Sequence, residues 1–188
     1  MDFNRIIKPN VYLAEKGFID ISKDGQIRDW QAFSMSNAMS TMVFLKEPND
    51  PKLYNAVYTF LKDLVFDGNK GFSKVFTREE VKSAEHLDGD FSFVLETDDD
   101  TSFSDDYLPP LINDKDLSDF RYGHATHGYL PCKGPQPVFL AKGPDFRKDI
   151  TIEHAHIVDI APTLAELLNI KLKHAQGSSM QELLRDRF

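Results

Sequence analysis

The chemistry this sequence could support begins with His127, an imidazole set in the stretch 123–144, GHATHGYLPCKGPQPVFLAKGP. Near neutral pH an imidazole can serve as a metal ligand or as a general base. Gly128 follows it directly, so the backbone there can take conformations closed to other residues and can pass close to a ligand. The turn formers Pro131, Gly134, Pro135 and Pro137 then pin a loop across a surface. The apolar run 138–141, VFLA, is bounded by breakers and reads as a buried strand that would hold the loop. Loops carried by a rigid scaffold are where binding and catalytic groups concentrate, which makes His127 the candidate site residue. Histidine is also an ordinary surface or core residue, and His124 keeps that plainer reading.

Other chemistry-bearing residues give less. His154 and His156 are spaced to share one face of a strand, but that spacing is common and marks no ligand set by itself. The stretch 98–119 carries Asp98, Asp99, Asp100, Asp105, Asp106, Asp114, Asp116 and Asp119 together with Pro109 and Pro110. It has no D-x-D-x-D-G loop ending in glutamate, so it reads as a solvated surface loop in preference to a calcium site. The single Cys132 can form no internal disulfide and no thiolate zinc site, leaving His and carboxylate as the only metal ligands. A lone cysteine fits a reducing compartment, and the expectation is a cytoplasmic chain.

Behind these residues stands an alternation of strand and helix signals. Residues 5–8 read as a short strand stopped by Pro9, after which Asn10 can cap a helix through Ala14 that Gly17 closes. Asp24-Gly25 predicts a tight hairpin between 18–21 and 26–30. A polar break at 34–37 precedes an interior strand over 38–45. Asp50-Pro51 opens a helix whose apolar residues Leu53, Val57, Phe60, Leu61, Leu64 and Val65 recur at steps of three and four. A strand at 72–76, a Thr77/Glu80 capping box and helix, and a strand at 91–97 follow. Near the end, Asp159 introduces an apolar-faced helix through Leu164, Leu167 and Leu168 that Asn169 can end, and 178–184 predicts a final helical turn. The fold class is α/β.

Composition narrows the partners. A length of 188 residues with 41% hydrophobic and 28% charged residues is that of a globular chain with a substantial core. The net charge of -8 argues against a nucleic acid polymer or an anionic membrane as partner, since both require clustered Lys and Arg. No apolar run approaches the roughly 18 residues of a membrane span, and the first residues lack signal-peptide character. Two classes stay open: metal-assisted hydrolysis with His127 as one ligand, and a non-catalytic binding or structural module in which it is incidental.

A family resemblance weighs on that choice. Ala125-Thr126-His127-Gly128-Tyr129-Leu130-Pro131, then Lys133-Gly134-Pro135-Gln136-Pro137, Phe139-Leu140-Ala141, Gly143-Pro144, Ile157-Val158-Asp159-Ile160-Ala161-Pro162-Thr163-Leu164 and Gly177 stand in an order that resembles the C-terminal part of type I phosphodiesterase/nucleotide pyrophosphatase proteins, alkaline phosphatase superfamily. The stretch 6–45 is similar to the region after the Asp-His motif in bacterial members. The resemblance implies the C-terminal portion of an α/β/α sandwich, with 1–17 and 120–188 in its core and 18–119 as an inserted α+β, cap-like subdomain with the acidic loop. It also implies a phosphate ester substrate and two zinc ions in the full-length parent, with His127 as the last histidine ligand.

The departures from the family pattern matter as much. This sequence has no Asp-His dipeptide, no Asp-x-x-x-His spacing and no nucleophile segment of the family type. The expectation is therefore a portion lacking the N-terminal catalytic half, which binds no zinc tightly and hydrolyses no phosphodiester by itself, and which self-associates through unpaired strand edges. A related phosphatase, sulfatase or phosphomutase would share the same sandwich.

Overall fold

Strand β1 (Arg5–Ile7) runs straight into helix α1 (Pro9–Glu15), because Pro9 sits at the first helical position, where a missing N–H costs nothing. The computed structural model describes residues 3–67, 71–115, 118 and 125–185, and the chain divides into two units at Gln136/Pro137. Helix α1 ends at a left-handed Gly17 (φ 81°). Asn10, the expected cap, lies instead inside the helix, with Lys8 in the capping position.

The fully buried Asn10 side chain does the work of a neighbouring strand. Its Oδ1 accepts from Ser34 N (2.7 Å) and Ser34 Oγ (3.0 Å), and its Nδ2 donates to Ser34 O (3.0 Å) and Asp105 O (3.0 Å). This explains why the polar stretch 34–37 does not break the chain as expected. Hairpin β2 (Ile19–Ile21) and β3 (Ile27–Trp30) turns at Asp24-Gly25 as predicted, and then β4 (Ala32–Asn37) pairs antiparallel with β5 (Ser40–Leu45). Ser34 is buried in β4 because every polar group it turns to the free edge meets Asn10.

Helix α2 (Pro51–Phe66) starts at Asp50, whose carboxylate accepts from Lys52 N (2.8 Å), and it buries Val57, Phe60, Leu61 and Leu64. Strand β6 (Phe72–Thr77) leads into helix α3 (Arg78–Glu85) through the predicted Thr77/Glu80 capping box. Strand β7 (Phe93–Thr97) completes an antiparallel sheet ordered β4-β5-β7-β6. The α2 side chains pack with Val43, Phe93 and Leu95 of this sheet in the main core, where the Phe93 ring lies 4.6 Å from Tyr54 and 5.5 Å from Tyr58.

The acidic stretch is not the solvated loop expected throughout. Thr101–Phe103 forms β8, fully buried and parallel to β1, and Ile112–Asp114 forms β9, antiparallel to β1 on its other side. Its flanking carboxylates are held: Arg5 pairs with Asp98 (3.0 Å) and Asp100 (3.4 Å), and the nearly buried Lys8 pairs with Asp106 (3.3 Å). Strand β1, at one end of the expected split, thus shares a sheet with β8 and β9 from the stretch expected to be inserted.

The second unit contains helix α4 (Ile160–Leu167), entered through a 3-10 turn at Ile157–Asp159 and ended by a left-handed Asn169 (φ 54°). Asp159 organises it, its carboxylate accepting from His156 N (3.2 Å) and Ser178 N (2.8 Å). Thr163 Oγ1 donates to Asp159 O (2.6 Å) and accepts from Met180 N (2.9 Å). The predicted terminal turn is a 3-10 turn at Gln181–Leu183. The run 138–141 is not a strand: Val138 is 80% and Leu140 88% exposed, and no ladder partner for it lies among the described residues. A short apolar run specifies a strand only when another strand is there to take its peptide groups. The chain is thus mixed α/β, and no helix among the described residues is long and apolar enough to cross a membrane.

Candidate functional site

The loop carrying His127 is set against the tip of the β4–β5 hairpin. That tip is the two-residue turn Ala38-Met39, with Ala38 at a positive φ (66°) and the Met39 side chain fully buried. Its peptide groups are all spoken for. Met39 N donates to His127 O (3.0 Å), Met39 O accepts from Thr97 N (3.0 Å) and Thr97 Oγ1 (3.1 Å), and Ala38 O accepts from Phe103 N (2.6 Å). Strands β7 and β8 and the His127 loop therefore converge on one turn.

Gly128 has a specific reason to be glycine. Its φ is 81°, and a Cβ there would stand 1.7 Å from the Asn37 carbonyl oxygen. The close approach expected to serve a ligand is made to the protein's own hairpin. With its carbonyl bound to Met39, His127 leaves its imidazole exposed.

The imidazole borders a cavity of about 530 Å³ lined also by Ser36, Asn37, Phe103, Ser104 and Asp105. Asp105 is fixed there by accepting from Ser36 N, while Ser36 Oγ donates to Phe103 O (2.9 Å) and accepts from Ala38 N (3.0 Å). One imidazole, one carboxylate and an amide thus open onto a single hollow. They can accept or pass a proton and can hydrogen-bond a small polar molecule. As metal ligands they fit one or two positions, where zinc takes three or four from protein. No three His, Cys, Asp or Glu side chains gather closely enough to hold a metal among the described residues.

His154 and His156 share no strand face, because 150–156 is irregular, and the His156 backbone is tied to Asp159. His124 lies outside the described residues, as do Asp116 and Asp119. Cys132 is exposed. Sequence reasoning missed Ser36, Asn37 and Asp105. No local pattern marked the first two, because the polar Ser34 interrupts Ala32-Phe33-Ser34-Met35 and hides the strand. Asp105 reaches Ser36 across 69 positions, which no local pattern announces.

No family model, no curated protein and no solved structure matches the chain.

Proposed function

We propose that this chain is part of a metal-dependent phosphoric ester hydrolase of the phosphodiesterase/nucleotide pyrophosphatase type, built on an alkaline-phosphatase-like sandwich, and that it supplies His127 as one metal ligand. The observation that supports this is an exposed imidazole on a loop whose backbone is pinned at the mouth of a cavity. A coordinating group needs a steady backbone and an accessible nitrogen, and the Met39–His127 bond with the Gly128 approach steadies the backbone that carries the exposed His127. The further ligands of a two-zinc centre would come from residues outside this sequence, and the chain alone would hold zinc weakly. The same reading carries self-association, since exposed apolar side chains such as Leu140, Ile157 and Leu168 offer surface for a partner.

The test is phosphodiester hydrolysis with added zinc. The chain alone should give no turnover. Supplied with a polypeptide bearing the family's nucleophile and Asp-His ligands, it should support turnover that His127→Ala removes. Zinc-dependent turnover by the chain alone, lost in His127→Ala, would overturn the reading of a partial site.

A second reading rests on the cavity itself: its polar lining comes from β4, the segment after β8 and the His127 loop of one unit, as a stand-alone binding module requires. It predicts saturable binding of a small polar ligand by the chain without metal, weakened by Asp105→Asn.

A further inference from the structure

Glu96 stands where an apolar residue would be cheaper. It lies on β7, an interior strand, between Ser40 of β5 and Lys74 of β6, and is 2% exposed. A carboxylate so placed costs desolvation free energy unless it is paired and hydrogen-bonded. Burial indeed pushes its pKa above the usual carboxylate range, opposed by the Leu130 N–H and by Lys133. Its partners are on the loop that bears His127. Glu96 Oε1 accepts from Leu130 N (2.6 Å), and Lys133 Nζ lies 3.8 Å from the same oxygen. Lys133 Nζ also donates to Thr97 O (2.8 Å) and lies 3.5 Å from Asp99.

We propose that Glu96, assisted by Lys133, is a positioning residue that keeps the His127 loop docked on the sheet. The loop is fastened on both sides of Gly128: before it by His127 O on Met39 N, after it by Leu130 N on Glu96. With both fastenings made, the backbone on either side of the glycine is held against the sheet. Leu130 also packs its side chain against the small core of Phe76, Val81, Phe91 and Val94, which helps seat the loop but does not fix the orientation of its peptide. This inference rests on the reading of His127 as the group the loop presents, and its test needs neither metal nor substrate.

The experiment is amide hydrogen exchange by NMR on the whole chain, with the His127 ring Cε1–H signal followed in parallel. In Glu96→Ala, the Met39 and Leu130 amides should exchange about tenfold faster or more, the loss expected for one charge-assisted hydrogen bond. Phe60 and Leu61 in α2 should be unchanged, and the His127 signal should broaden. Glu96→Gln, which keeps an acceptor, should restore protection at Leu130, and Lys133→Ala should speed exchange in the loop alone. Loop amides as protected in Glu96→Ala as in the wild type would overturn the inference, as would acceleration equal in loop and α2. Should Glu96→Ala fail to fold, Lys133→Ala decides: unchanged loop exchange overturns it, selective acceleration supports it. A docked loop in a protein that never uses zinc would defeat the hydrolase reading and leave the latch standing.

Discussion

The two units stabilise themselves by different means. In residues 1–136 a four-stranded sheet buries Val43, Phe93 and Leu95 under α2, and polar groups inside it, such as Asn10 and Ser34, satisfy one another. In residues 137–185 the buried side chains are Thr163, Ala165, Met180 and Leu184, while Ile157 is 72% and Leu168 69% exposed. The second unit is held by hydrogen bonds radiating from Asp159 and Thr163 and by the Phe146–Leu184 bridge. One unit has an apolar core; the other has a hydrogen-bonded frame around little apolar burial.

The contrast can be broken by mutation. Phe93→Ala should cost about 4 kcal/mol in urea unfolding, as for other buried phenylalanines. Leu168→Ala should change stability by less than about 0.5 kcal/mol, and comparable losses at the two positions would erase the distinction. Gly128→Ala forces a Cβ against the Asn37 carbonyl from a left-handed backbone, so it should cost about 2 kcal/mol, together with faster exchange at Met39 N. A neutral result there would mean that the loop is not seated on the hairpin.

A third test sharpens the comparison on the exposed side. Sedimentation velocity should show the wild type self-associating, and replacing Leu164 and Leu168 by serine should weaken association about tenfold, or about 1.4 kcal/mol, for two apolar side chains. A wild type that stays monomeric at high concentration would remove the partner-seeking role of that surface.

The smallest effect concerns pH. Because the folded Glu96 pKa is raised by burial, the native state binds its proton more readily than the unfolded chain does. Stability from this group is therefore full below the unfolded carboxylate range and declines as pH rises through the folded value. Relative to Glu96→Gln, the wild type should gain stability as pH falls from neutral toward 4.5, the ordinary value for a glutamate side chain. Urea midpoints at the two ends check this, and the opposite slope would mean that Lys133 outweighs burial.

What could be read in the sequence was whatever is decided locally. Helix α2 follows from Asp50-Pro51 and its apolar stripe, α3 from Thr77 and Glu80, and the first hairpin from Asp24-Gly25, all within a few residues of the structure they specify. Strand β4 was hidden because Ser34 is polar, and its tolerance of burial depends on Asn10, 24 positions away. Strand β8 was hidden by the aspartates around it, whose partner Arg5 is more than 90 positions away. The run 138–141 misled in the opposite direction, having strand composition with no strand beside it among the described residues. At the candidate site, the loop that carries His127 was legible from its composition. The cavity around it was not, since it is assembled from four separate stretches of chain, 3–6, 36–38, 102–105 and 125–127.

The crowded tip at Ala38-Met39 carries one more implication, for engineering. Hairpin ends are ordinarily the places where a protein accepts inserted sequence, because nothing else leans on them. Here the Asp24-Gly25 end, with Asp24 exposed and, among the described residues, only the Leu108 side chain near Gly25, should accept a grafted peptide or a split point, whereas one residue added at Met39 would detach two strands and the imidazole loop together. The geometry that steadies this corner also makes it the least editable part of the chain.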